Sequence, residues 1–115
     1  MTLVDQSRVN ELRELGVDEF VTDLWRAYLD ICAVEIPRLE TALRSGETKT
    51  SASLAHLIRS ASGNVGAQAL HEVCTSIETT LQSGSLNFSS FANQLTSIYK
   101  LMLACESLEA VMHGR

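Results

Sequence analysis

His56 lies in the run Leu54-Ala55-His56-Leu57-Ile58-Arg59-Ser60-Ala61-Ser62-Gly63-Asn64-Val65-Gly66-Ala67. Leu54, Leu57, Ile58, Ala61 and Val65 recur at helical spacing and, at about 100° per residue, define one inward stripe. His56 falls roughly opposite that stripe, toward water. Its neighbours on the outer face are Ala52 and Ser60 one turn away and Gly63 two turns on, with Arg59 alongside at i+3. An imidazole ringed by small side chains and one cation can be approached closely by a second protein. That arrangement suits a histidine used as a chemical handle between proteins, because a neutral ring nitrogen is a nucleophile near neutral pH.

The elements that must position this histidine are almost all helical. One proline and six glycines leave little punctuation in 115 residues, and no strand-like alternation of any length occurs. A short amphipathic helix is predicted from Asp5 to Leu15 through Val9, Leu12 and Leu15, ended by Gly16. A long helix follows from about Asp18 to Arg44, with the broad apolar face Phe20, Val21, Leu24, Tyr28, Ile31, Cys32, Leu39 and Leu43. Pro37 inside it removes one backbone donor and predicts a kink near Ala33. Ser45-Gly46 closes that helix. The third helix, which carries His56, is expected to start at a cap provided by Thr48 or Thr50 and to end around Gly63 to Gly66. The fourth runs from about Ala67 to Gln82 through Leu70, Val73, Cys74, Ile77 and Leu81. After a polar loop from Ser83 to about Asn87, the last helix runs to about Met112, with Phe91, Leu95, Ile98, Met102, Cys105 and Leu108 inward. The expected fold is all-α: an antiparallel up-down-up-down four-helix bundle with a short extra N-terminal helix across one end. Residues 1–115 offer room for one domain and not two.

Composition narrows the functional classes. An apolar fraction of 45% belongs to a globular chain. The net charge of −5, with scattered basic residues, argues against nucleic acid as a partner. Charges interrupt every apolar stretch, so no membrane contact is expected, and the start Met-Thr-Leu-Val-Asp-Gln does not read as a secretion signal. Cys32, Cys74 and Cys105 are odd in number, far apart and without metal-ligand spacing, so each reads as a small core residue and no metal site is expected. A reducing, cytoplasmic location is the expectation.

The run around His56 resembles the histidine-containing phosphotransfer (HPt) domain of multistep phosphorelays. The family pattern, approximately Ala-His-x-Leu-Lys-Gly-Ser-Ser-x-Asn-Leu-Gly-Ala, corresponds without a gap to Ala55 through Ala67. The likeness continues through Leu70, Val73, Cys74, Ile77 and Glu78, which match a family run of the form Leu-x-x-Leu-Cys-x-x-Leu-Glu, and upstream through the long helix from Phe20 to Leu43 with its late proline. Three positions depart from it. The family's Lys is Arg59, which keeps the charge and adds a planar fork. The family's Gly is Ser60, where a hydroxymethyl either hinders a partner's approach or donates to phosphate. Its first Ser is Ala61, placed inward.

The resemblance implies a phosphorelay intermediate. His56 would accept a phosphoryl group, on Nε2 by family precedent, from the aspartyl phosphate of a receiver domain and pass it to an aspartate of a response regulator. The partners implied are receiver domains of a hybrid sensor kinase or response regulator. Mg²⁺ is expected on the receiver, and no cofactor on this chain, which would be a phosphocarrier without a kinase domain of its own, and a monomer. Arg59, Ser60, Gly63, Glu78 and Gln82 are the expected phosphate or receiver contacts. His56, Arg59 and the pair Glu78 and Gln82 have plainer alternatives: an ordinary exposed histidine, a surface cation and a solvated flank of the fourth helix. His71 reads as a surface residue, lacking a comparable shell of small side chains, and His113 carries no signal. Trp25 and Tyr28 read as core, while the exposed part of the long helix, with Val17 and Val21, offers an apolar docking patch. A docking module that binds a receiver or partner enzyme through the same face without phosphotransfer is the alternative function. The dimerisation helices of a sensor kinase fit less well, because Leu57 rather than an acidic residue follows the histidine.

Overall fold

Spacings of three and four between apolar residues set the architecture of the computed structural model, which describes residues 2–15, 18–84 and 88–104. Among these residues there are five helices and no strand: α1 (Gln6–Leu15), α2 (Asp18–Arg44), α3 (Thr48–Val65), α4 (Gln68–Ser83) and α5 (Phe88–Leu103). The helix α3 packs between α2 and α4, and α5 closes the ring against α4 and α2. Four helices thus form the expected antiparallel bundle, and α1 leans across α2 and α3 as the extra short helix. The predicted extension of α5 to Met112, with Cys105 and Leu108, lies outside the described residues, as do His113, Gly16 and Val17.

The inner seam of α2 is Val21, Trp25, Tyr28, Cys32, Ile36, Leu39 and Leu43, all buried. Its steps are all of three or four residues, which keeps one narrow stripe against the partners. Phe20 and Ile31 sit one residue off that seam, about 100° away, and are exposed instead of inward. Val21, by contrast, is fully buried and offers nothing to an outside partner. The helix continues past Pro37 to Arg44. From the other helices Ile58, Leu70, Ile77, Leu95 and Met102 complete the core, each contributing about 1.5–3 kcal/mol by leaving water. Cys32 and Cys74 are fully buried free thiols, as their positions on the apolar stripes implied.

The helix α3 departs from its expected pattern in two ways. Its buried face is Ser51, Leu54, Ala55, Ile58, Ser62 and Val65, and Leu57 is 44% exposed. The serines face inward because they are small. Ser62 also has a partner there, since its Oγ lies 2.5 Å from Tyr28 Oη in the α2–α3 interface. Neither Thr48 nor Thr50 caps the helix. Helical bonding already begins at Glu47, whose carbonyl accepts from Ser51 N–H at 2.9 Å, and no side chain caps the N-terminus. In α1, Val9 and Leu12 are buried but Leu15 is 81% exposed, because the helix meets the bundle only through its first two turns of apolar residues. Asp5 caps it, its Oδ1 accepting from Ser7 N–H at 3.1 Å and Arg8 N–H at 3.3 Å.

Burial raises every ionisable group of this core. It holds the Tyr28 hydroxyl far above the ordinary tyrosine range, and pushes Cys32 from 9.0 up to about 11 and Cys74 from 9.0 up to about 12. The neighbouring Cys32 adds to the last shift.

Two outcomes are expected. Tyr28→Phe should cost about 1 kcal/mol in urea denaturation, and a double-mutant cycle with Ser62→Ala should show coupling of about the same size; additive losses would refute a shared bond. Because the folded thiols keep their protons above the pH at which unfolded thiols lose them, their stabilising contribution is complete below about pH 9 and disappears as pH rises toward 11–12. The midpoint of thermal unfolding should therefore fall above pH 9, more steeply in the wild type than in Cys32→Ala/Cys74→Ala, by up to about 1.4 kcal/mol per pH unit for each thiol. Parallel slopes would contradict this.

Candidate functional site

The site is built on the α3–α4 hairpin. Gly66 ends α3 in the left-handed region at φ 88°, where a side chain would be strained and its Cβ would meet Asp5 O at 3.0 Å. The Gly66 and Ala67 amides both donate to Ser62 O, at 3.0 and 2.9 Å. Segments from the N-terminus fix this turn from outside. Asp5 N–H donates to Gly66 O at 2.6 Å, and Arg8 Nε donates to Asn64 O at 2.9 Å, satisfying carbonyls that the end of α3 leaves over.

Gly63 belongs inside α3 rather than at its cap. A Cβ there would lie 3.1 Å from Nδ1 and 3.3 Å from Cε1 of His71, so the missing side chain is the space that the His71 ring occupies. His71 Nδ1–H donates to the Arg59 carbonyl at 3.0 Å. A carbonyl only accepts, so this ring carries its proton on Nδ1. His71 is thus half-buried and ties α4 to α3, a role its surface reading did not capture. The signal that marks it is a glycine in mid-helix facing a histidine across a tight antiparallel turn.

Two turns toward the N-terminus of α3, the same packing brings three candidate site side chains together. The His56 side chain is 63% exposed. Arg59 Nε donates to Glu78 Oε1 at 2.7 Å, Arg59 Nη2 lies 3.0 Å from His56 Nδ1, and Glu78 Oε2 lies 3.4 Å from the same nitrogen. Among the described residues none hydrogen-bonds His56 Nε2. The partly exposed Arg59–Glu78 pair adds at most about 1 kcal/mol to stability, so its consequence is positional. Ser60 and Gly63, one and two turns after His56, are exposed and small. Gln82 is exposed one turn beyond Glu78, and no hydrogen bond joins it to His56.

An apolar surface adjoins this cluster. Leu24, Ala27, Tyr28, Ile31, Ala61, Asn64 and Val65 line a groove of about 160 Å³ between α2 and α3. Exposed Leu57 stands one turn before Ala61, and Val34 one turn after Ile31. The apolar patch on α2 is therefore formed without Val21.

The bundle thus presents an exposed imidazole on α3 beside an arginine of the same helix and a carboxylate of α4. The family model of the Hpt domain matches residues 23–109, most of the chain and all of the cluster just described. The chain belongs to the Hpt domain family. No curated protein and no solved structure matches it. Membership gives it a phosphotransfer-related role in two-component signalling, in which Hpt domains act as phosphocarriers and meet receiver domains. Among the described residues no helix is long and apolar enough to cross a membrane.

Gly63→Ala separates the two effects of that position. Alanine gains up to about 1 kcal/mol of helix propensity and displaces His71, losing a hydrogen bond of about the same size. The urea midpoint should barely move, while the ring ¹⁵N signals of His71 lose their Nδ1–H bias. A clear stabilisation with unchanged His71 signals would show that the ring does not need the space.

Proposed function

We propose that His56 is the phospho-acceptor of a phosphorelay intermediate. The observation that carries this reading is the asymmetry of the ring: Nδ1 faces Glu78 and Arg59, while the Nε2 edge is open on a largely exposed side chain. A nucleophile needs an unobstructed line to phosphorus, and phosphoryl transfer needs in-line geometry and charge neutralisation more than covalent machinery.

The Nε2 lone pair attacks the phosphorus of a receiver's aspartyl phosphate. The N–P bond forms as the P–O bond to the aspartate breaks, and the electron pair of that bond leaves with the carboxylate. The imidazole becomes cationic as it is phosphorylated. Nδ1–H then donates to Glu78, whose negative charge stabilises the ring as a carboxylate stabilises an imidazolium in hydrolase triads. Arg59, anchored through Nε on Glu78 and one-third exposed, can turn its Nη donors toward phosphoryl oxygens. The reverse step delivers the group to an aspartate of a second receiver. Mg²⁺ belongs to the receiver's side of the encounter in this scheme. The receiver seats on the small residues Ser60 and Gly63 and on the groove beside Leu57 and Ile31. Gln82 has no part in the ring's hydrogen bonding, so Glu78 alone carries the role considered for both.

Incubation with a receiver domain charged by acetyl phosphate in the presence of Mg²⁺ is expected to place acid-labile, alkali-stable phosphate on His56. His56→Gln should take none, although it folds as the wild type does. Phosphate appearing on the His56→Gln protein would end the proposal.

A further inference from the structure

The hydrogen inventory around His56 contains a conflict. A guanidinium nitrogen only donates, so the 3.0 Å contact of Arg59 Nη2 with Nδ1 requires a lone pair on Nδ1. A carboxylate only accepts, so a bond from Nδ1 to Glu78 Oε2 requires a proton there. One nitrogen cannot do both. The arginine contact is the shorter, and at 3.4 Å the carboxylate stands beyond the usual range for a charge-assisted bond.

We infer that Arg59 is a positioning residue that holds free His56 in the tautomer unable to react at Nε2, and that the phosphoryl group of a docked receiver releases it. In the free protein Arg59 donates to Nδ1, and the proton of the neutral ring sits on Nε2, the edge facing solvent. That edge then has no lone pair with which to attack phosphorus. Glu78 keeps the guanidinium in place, since Arg59 Nε donates to its Oε1 at 2.7 Å while Nη2 reaches the ring. Phosphoryl oxygens arriving above the ring are stronger acceptors than an imidazole nitrogen, and they draw Nη2 away. The exposed ring then exchanges protons with water: Nε2 loses one, Nδ1 gains one, and the net charge is unchanged. Nδ1–H turns to Glu78 Oε2, and Nε2 becomes the nucleophile. The groups facing this ring are Arg59 from its own helix and Glu78 from α4, and both take part. The functional consequence rests on the phosphocarrier reading; the tautomer does not.

Long-range ¹H–¹⁵N spectra of the uniformly labelled full chain, recorded at mildly alkaline pH, read the tautomer directly. The wild type should show His56 predominantly protonated on Nε2. Arg59→Met should shift the ratio toward Nδ1–H by about tenfold, the scale of one charge-assisted hydrogen bond. His71 is an internal control, because its Nδ1–H signal persists only while α3 and α4 stay packed. A wild-type ring already protonated on Nδ1 overturns the inference, as does an unchanged ratio in Arg59→Met with the His71 signal intact. If the free ring is protonated on Nε2 and no charged receiver phosphorylates it, the lock stands and the carrier reading falls. If His56 is phosphorylated but its free ring carries Nδ1–H, the reverse holds.

Discussion

Close approach of α3 to α4 at Gly63 is the constraint on which the site depends. Because that glycine leaves room for the His71 ring, His71 can reach across to the Arg59 carbonyl. The contact fixes the register of two antiparallel helices joined by a single short turn, with Gly63 opposite His71. In that register the residue two turns before Gly63 meets the residue two turns after His71, and these are His56 and Glu78. Slippage by one residue would rotate Glu78 by about 100° and remove the carboxylate from the ring. The turn resists slippage from both sides, through the left-handed backbone of Gly66 and through Asp5 and Arg8, which occupy the carbonyls of Gly66 and Asn64. The short helix α1 therefore serves the site even though it lies away from it.

Beneath this hairpin the interior is built from groups that stay neutral. Tyr28 and Ser62 share a hydrogen bond across α2 and α3, and Cys32 and Cys74 retain their protons because burial makes their anions costly. Cys74 lies close enough to Glu78 and Arg59 for both charges to act on it. A charged residue at position 74 would compete with His56 for the same two partners. A small neutral thiol leaves the carboxylate and the guanidinium to the surface, where a partner can use them.

The fold was readable because its seams follow helical periodicity for many turns, and the glycines mark where those turns stop. The apolar residues misplaced on α2 and α3 share one physical origin. Hydropathy ranks Phe20, Ile31 and Leu57 above serine, yet a bundle seam is narrow, and the positions one residue off it face outward whatever their side chains. Ser51 and Ser62 fill the vacated inward places, the second because Tyr28 satisfies its hydroxyl. At the site, the outward placement of His56 and the proximity of Arg59 follow from spacing on one helix. Glu78 against Gln82 could not be decided that way, since the choice depends on the register between two helices, and register came from the Gly63–His71 contact. The distribution of protons on His56 was further out of reach, because it depends on which of two side chains stands nearer to one nitrogen.

Arginine at position 59 has a consequence that charge alone does not. A lysine presents its three donors from one nitrogen on a flexible stem, so seating that nitrogen on Glu78 would draw it away from the ring and leave Nδ1 free to take a proton. The guanidinium is planar and presents donors along two directions. It can therefore hold Glu78 through Nε and reach Nδ1 through Nη2 at once, as the distances of 2.7 and 3.0 Å show. The same fork that locks the ring also aims donors outward over the histidine. Replacing its ring contact by phosphoryl oxygens costs little, since the salt bridge to Glu78 is kept and a neutral acceptor is exchanged for an anionic one. A family position usually filled by lysine for its charge acquires in this chain a second property, that of sensing whether an anion stands above the ring.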